Sequence, residues 1–492
     1  MRDGYAALGN TPEGETDGEI DGGAGGETDG GAEGAPRGPS TSASALTSAE
    51  ALGSRPIGRL LWQSCSQTTF SVAVYGFYAL SNAWFVAHGV GDTAMAAVNI
   101  VAPVLLLIGA VSTTVGIGGA SLVSRSLGAG DTRAAARAAG NAFALFWTSA
   151  LVTTVVGLCA LRPLLTLLGA HGALRAPASQ YATVLLAGAV VGTGFSSLVR
   201  AEGRMRFSTL LWLIPVLVQI SLDPALIFGL HLGVRGAALG SVGGQTVSAG
   251  MSLWFFFVQK PRPYRVTLAD LRPHGPTICA LISVGSPTFL TGIGATVLVV
   301  LVNGSLARTA DSAVALAAYA VCARIQTFAT MPQLGISQGL QPVVGYNHGR
   351  GLPGRVERAK TLALRASLGY GLLVMALVIL LAGPLVGVFV SDPAITAAAV
   401  HALRIIALAI AAAGVTPLVS AYFQSLGRPR PSYLLSLGSL LVLKIPLVVV
   451  LGRGGGTTGI WFSLAAGELA SALASLITLR FVTRRAARPL PA

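Results

Sequence analysis

Residues 95–123 read Met95-Ala96-Ala97-Val98-Asn99-Ile100-Val101-Ala102-Pro103-Val104-Leu105-Leu106-Leu107-Ile108-Gly109-Ala110-Val111-Ser112-Thr113-Thr114-Val115-Gly116-Ile117-Gly118-Gly119-Ala120-Ser121-Leu122-Val123, without one charged side chain. About 20 apolar residues in a helix span the hydrocarbon core of a bilayer. No period of two runs through the stretch, so a barrel strand is excluded, and a helix satisfies its own backbone groups in lipid. Similar runs precede it at 57–80 and follow it at 138–161, 177–199, 207–229 and 236–257. They resume at 276–303, 312–344, 366–390, 395–426, 432–452 and 458–481. The expected fold is all-α integral membrane, with twelve transmembrane helices.

Composition points the same way. Apolar residues make up 53% of the 492 and charged residues only 11%, against about 25% charged in a soluble domain. The net charge of +14 is not a nucleic-acid footprint, because the bases sit in short loops between apolar runs. One set of loops carries Arg125, Arg133, Arg137, Arg200, Arg204 and Arg206, then Lys260, Arg262, Arg265 and Arg272, and later Arg350, Arg355, Arg358, Arg428 and Arg430. The opposite loops hold little beyond Arg162, Arg175, Arg235, Arg308 and Arg453. The positive-inside rule then puts both termini in the cytoplasm. Ten of the nineteen acids fall in the first fifty residues, a Gly-rich stretch that reads as a disordered tail without a signal peptide.

The chain repeats itself. At an offset of 221 residues Asn82 falls on Asn303, Gly118 on Gly339, Gly128 on Gly349 and Gly130 on Gly351. Further on the offset is 224, where Gly203-Arg204 falls on Gly427-Arg428 and Ser208 on Ser432. Six spans in each half give a parallel repeat about a pseudo-two-fold axis along the membrane normal, with a substrate cavity between the lobes. The expected divisions are an acidic tail at 1–54, an N-terminal lobe at 55–257, a cytoplasmic linker at 258–275, a C-terminal lobe at 276–481 and a basic tail at 482–492.

Few residues could carry chemistry. Of the acids outside the first tail, only Asp223 and Glu468 fall within spans, where a charge is costly. Asp223 lies about sixteen residues into its run, hence about 24 Å from the cytoplasmic end. Gln219 precedes it by one turn on the same face, and Pro224 follows it, freeing a carbonyl one turn back. A carboxylate, an amide and a freed carbonyl make an oxygen site for a proton or Na⁺; the competing reading is a tie between two helices. Glu468 reads as a coupling site or as the structural partner of Lys444 in the preceding span, and the pair is the favoured reading. Arg324, an intramembrane charge like Arg404, attracts an anionic substrate or neutralises a carboxylate. Trp84, Phe85 and Tyr319 are candidates for an aromatic substrate cavity. Cys65, Cys159, Cys279 and Cys322 read as small buried apolar residues, and the scattered histidines form no metal site. No phosphate-binding Gly-x-x-x-x-Gly-Lys-Ser/Thr is present, so an ion gradient is the expected driving force, with no cofactor.

The stretch from Gly119 through Arg125 to Asp131 resembles the second-span signature of the multidrug and toxic-compound extrusion (MATE) transporters. Gly335-Ile336-Ser337-Gln338-Gly339-Leu340-Gln341-Pro342, running on to Gly349, is similar to the family's eighth-span motif. Leu222-Asp223-Pro224-Ala225-Leu226-Ile227 and Gly233-Val234-Arg235-Gly236-Ala237-Ala238-Leu239-Gly240-Ser241 resemble its fifth and sixth spans. The likeness covers about 55–480. It implies a monomeric antiporter in the plasma (inner) membrane that exports amphipathic, often cationic organic compounds in exchange for H⁺ or Na⁺. By that resemblance the coupling cation lies in the N-terminal lobe, held by Asp223, Gln219 and Ser241. The first-span position that holds an acid in the family holds Asn82 here, and the seventh- and tenth-span acids are absent. A lone carboxylate suits H⁺ better than Na⁺, which takes several oxygen ligands. The alternatives are a flippase for lipid-linked oligosaccharide, a membrane enzyme (which would need a catalytic His or acid pair that the sequence lacks) and a non-transporting scaffold.

Overall fold

The computed structural model describes residues 43–192, 195–260 and 262–486. The expected acidic tail, up to residue 42, and the last six residues of the basic tail lie outside the described residues. Among the described residues there is no strand. The chain runs through α1 (Ala43–Ser54), α2 (Ile57–Gly89), α3 (Asp92–Gly128), α4 (Thr132–Cys159), α5 (Leu161–Leu167), α6 (Arg175–Gly188), α7 (Ser196–Ala201), α8 (Met205–Pro224) and α9 (Gly233–Leu253). After the irregular segment 259–274 come α10 (Gly275–Leu306), α11 (Ser312–Gly349), α12 (Pro353–Leu380), α13 (Ala382–Gly387), α14 (Pro393–Ile410), α15 (Val415–Ser425), α16 (Pro429–Gly438) and α17 (Ile445–Ala486). Nine segments among the described residues are long and apolar enough to cross a membrane. The last of them, Pro429–Arg484, is 56 residues long and is broken at Gly456 (φ 57°, ψ −142°). A straight helix of that length would reach about 84 Å, far beyond a bilayer.

Acids outside the spans do local work. Asp131 and Asp392 cap α4 and α14, accepting from Ala134 N (2.8 Å) and Ile395 N (2.9 Å), which satisfies a first-turn donor. Asp270 accepts from Thr267 N at 2.9 Å. Glu202, fully buried, forms an ion pair with Arg262 of the irregular segment. The Arg262 guanidinium also lies over Phe256 (4.5 Å), Phe255 (4.8 Å) and Tyr264 (4.8 Å), a cation held by ring faces as well as by a carboxylate. Burial, and then the Glu202 charge, push the Tyr264 hydroxyl well above its ordinary value. Asn141 of α4 fastens the same segment at its other end, donating to Asp270 O (3.0 Å) and accepting from His274 N (2.7 Å). Removing one member of a buried ion pair leaves the other uncompensated, which costs about 3–5 kcal/mol. Glu202→Ala is therefore expected to lower the melting temperature of the purified protein strongly, read by thermal unfolding in detergent.

Three apolar cores follow from this arrangement. One lies at the arginine-rich end and draws on both halves: Val123 and Leu127 of α3 and Phe143 of α4 pack with Leu340 and Val343 of α11 and Phe423 of α15. At the opposite end the halves keep separate cores. One gathers Val86, Val101, Tyr181 and Val234, all before residue 259. The other gathers Leu306, Tyr319, Ile406 and Trp461, all after it. The halves are thus joined at the arginine-rich end and hold unshared cores at the other.

The join packs α11 on α2 and α10 on α3, and includes a crossing of α3 and α11. A Cβ on Gly128 would collide with the carbonyl of Tyr346, and one on Gly349 with the carbonyl of Arg125. Gly128 and Gly349 are equivalent positions at the offset of 221, and so are Arg125 and Tyr346. Each half therefore offers its glycine to the other's carbonyl, the close approach that only small residues permit between membrane helices.

Two sequence readings need correction. Cys322 is buried and Cys65 partly so, but Cys159 and Cys279 face outward; an apolar helix in lipid has no interior preference for a small apolar residue. Arg200, counted among the loop arginines, is buried, and donates to Ser197 Oγ (2.9 Å) and to Gln338 Oε1 of α11 (3.3 Å).

Candidate functional site

Three helices before residue 259 meet around Asp223. It sits one residue before the end of α8, where Pro224 supplies no N–H and the next turn, Ala225–Gly229, widens to π geometry. Such turns recur at functional positions in helices. The helix therefore continues past Pro224 with a change of winding. Asp223 is 1% exposed, Gln219 4%, Ser241 3% and Asn82 8%, so four polar side chains share one buried pocket.

Their contacts divide the pocket in two. Asn82 Nδ2 of α2 donates to Asp223 Oδ2 at 3.4 Å, a long bond. Gln219 Nε2 donates to Ser241 Oγ of α9 at 2.8 Å, and Ser241 Oγ donates to Ala237 O at 3.1 Å. The other carboxylate oxygen, Asp223 Oδ1, is buried and accepts no hydrogen bond among the described residues. It rests against Gly240, where a Cβ would overlap it. Gly236 and Gly244, one turn to either side, let the same face of α9 approach the backbone at Leu226 of the π turn and at Pro215 of α8. The Gly-x-x-x-Gly spacing at 236, 240 and 244 is visible in the sequence and is the signal by which Gly240 could have been found there. We expect Gly240→Ala to leave a helical protein that no longer transports, checked by circular dichroism alongside an efflux assay.

The remaining candidates are dispersed. Trp84, two residues beyond Asn82, is 55% exposed; it stacks on His88 (4.5 Å) and meets Phe85 edge-on (5.2 Å). Phe85 reaches Phe228 of the π turn at 6.5 Å. Tyr319 is in the other half, stacked on Trp461 at 6.0 Å within that half's core. Arg324 is exposed on α11. The structure thus brings Trp84 and Phe85 together near the Asp223 pocket and holds Tyr319 and Arg324 apart from it. Asn303, which the 221-residue offset sets against Asn82, is exposed. Glu468 forms an ion pair with Lys444. Among the described residues no three His, Cys, Asp or Glu side chains cluster as a metal site would need.

Apolar membrane-length helices, halves joined at one end, and a buried carboxylate pocket in one of them define a multi-pass helical membrane transporter. The MatE profile matches residues 68–225 and again 287–450, and the chain belongs to that family of transporters. It is 27% identical over 416 residues to the multidrug export protein MepA of Staphylococcus saprophyticus, covering 83% of this chain and 90% of that protein. The MepA of Staphylococcus aureus gives the same figures. In fold it resembles a multidrug resistance MATE family transporter of the MOP superfamily in its outward-facing conformation (TM-score 0.83, 23% identity, 91% of this chain and 99% of that one). It also resembles a MOP superfamily transporter from Pyrococcus furiosus, described as having a binding pocket of reverse polarity (TM-score 0.82, 24% identity, 88% and 97%).

Proposed function

We propose that the chain exports an amphipathic organic cation across the plasma membrane in exchange for protons, and that Asp223 carries the exchanged proton. The observation that supports this most is Asp223 Oδ1, a buried carboxylate oxygen without a partner among the described residues. A proton placed there removes the charge that burial makes costly. Among the described residues the surroundings offer one carboxylate and neutral side chains, a poor match for Na⁺. On this reading the chain crosses the membrane twelve times: the segment 429–484 counts twice, and Ile57–Gly89 and Gly233–Val258 complete the set. The arginine-rich end faces the cytoplasm with both termini, and the arrangement of the cores corresponds to an outward-open state. Two matches to one family profile support the parallel repeat, whose lobes rock about the pseudo-two-fold axis. Trp84 and Phe85 are positioned to contact substrate; Tyr319 and Arg324 would do so only from the opposite lobe.

The test is efflux of a fluorescent organic cation from proteoliposomes under an imposed pH gradient and, separately, an imposed Na⁺ gradient. Efflux under the pH gradient alone supports the proposal, and efflux driven by Na⁺ alone overturns the choice of ion. The same vesicles address the alternative, a flippase for lipid-linked oligosaccharide, whose basic cavity would have to draw on Arg324 and Arg404; translocation of a lipid-linked anion without cation efflux would favour it. A related expectation concerns Asn82. Asn82→Asp sets a second carboxylate beside the first, and two such groups cannot both be ionised at that distance without a cation between them. The variant is expected to acquire Na⁺-driven efflux, measured in the same vesicles.

A further inference from the structure

A cavity of about 480 Å³ opens at the arginine-rich end, between the end of α1, the first turns of α2 and the start of α8. Arg55, Arg204 and Arg206 line it. Arg204 lies over Phe255 at 5.3 Å. The side chains of Arg55 and Arg206 are exposed and belong to no ion pair among the described residues. Ser64 forms part of the wall and is only 2% exposed. The twenty-residue helix α8 begins here with Arg204 as its cap residue and no side-chain cap, so its first-turn N–H groups add their partial positive charge to the arginines. Leu60 and Met205 supply an apolar side to the same cavity.

We propose that this cavity binds a phosphate-ester anion, independently of how transport is coupled. The exposed Arg55 and Arg206 guanidinium groups match phosphate oxygens by charge and geometry; the helix terminus offers further donors, and Ser64 places a hydroxyl in the same wall. The ligand is either the headgroup of an anionic phospholipid in the adjoining leaflet, with its glycerol against Leu60 and Met205, or a soluble phosphate. The occupant would tie α1 to α8. Because Leu52 O and Arg55 O at the end of α1 accept from Arg355 of α12 (3.3 and 2.6 Å), it would brace the joined end of both halves.

The experiment titrates the purified full-length protein in neutral detergent with short-chain phosphatidylglycerol, short-chain phosphatidylcholine and inorganic phosphate, reading thermal unfolding and affinity. The Arg55→Gln/Arg206→Gln variant is compared with Arg133→Gln/Arg137→Gln, which removes the same charge from exposed arginines elsewhere. Each cavity arginine should contribute about 1 kcal/mol, so the first variant should bind the anion about thirtyfold more weakly while the second binds as wild type does. Ser64→Ala should weaken binding without changing the charge. Phosphatidylglycerol binding without phosphate binding identifies the lipid; phosphate binding of equal strength identifies the soluble anion. Equal loss in both double variants would reduce the effect to net charge and overturn the site, as would the absence of stabilisation by either anion.

Discussion

Asp223→Asn is expected to abolish gradient-driven efflux while leaving the protein folded. The substitution keeps the shape of the side chain and its place beside Asn82 and Gly240, but removes the group that can take and release a proton. Its amide can still hydrogen-bond in the pocket, so the loss should appear in coupling rather than in stability. Substrate-for-substrate exchange across the vesicle membrane needs no net proton movement and should survive, whereas accumulation against a pH gradient should fall to the level of empty vesicles. Loss of both activities together with a lowered melting temperature would mean instead that Asp223 ties α2 to α8 structurally, the competing reading of an acid in a span.

The second large effect is expected at the crossing of α3 and α11. Gly349→Ala places a methyl group where the Arg125 carbonyl stands, and Gly128→Ala places one against the Tyr346 carbonyl. Neither neighbour is a flexible side-chain end, so the helices must part. Overpacking of this kind costs about 1–3 kcal/mol, occasionally more. The two sites share one contact, and their effects should not add, because parting the helices for one largely relieves the other. The double variant should therefore resemble the singles, and all three should shift the molecule toward opening at the arginine-rich end. Spin-label distances between the ends of α3 and α11 would show this; an unchanged distance distribution would mean that the crossing does not hold the ends closed.

What the sequence revealed about these sites depended on whether a single helix carries the signal. The spans were legible because residues such as 95–123 exclude charge over a membrane's width. Asp223 and Gln219 stood out for the same reason, as an acid and an amide one turn apart in an apolar run. Asn82 carries no such mark: its place opposite Asp223 depends on how α2 packs on α8, and only the 221-residue offset and the family resemblance pointed to it. Gly240 was quoted within a motif but given no role, since its role lies in the space it leaves for a side chain of another helix. Arg200 looked like a loop arginine because sequence shows which residues adjoin a boundary, not which way they turn. The substrate candidates were the least legible, because Tyr319 and Trp84 are equally aromatic and equally placed near span ends, and only the separate cores distinguish them.

The central claim is that Asp223 holds a proton which substrate displaces. The most direct measurement is proton release from detergent-purified protein in weakly buffered solution when a saturating organic cation is added, with Asp223→Asn beside the wild type. The account predicts release from the wild type and none from the variant. Equal release from both, with substrate binding demonstrated for each, would contradict it.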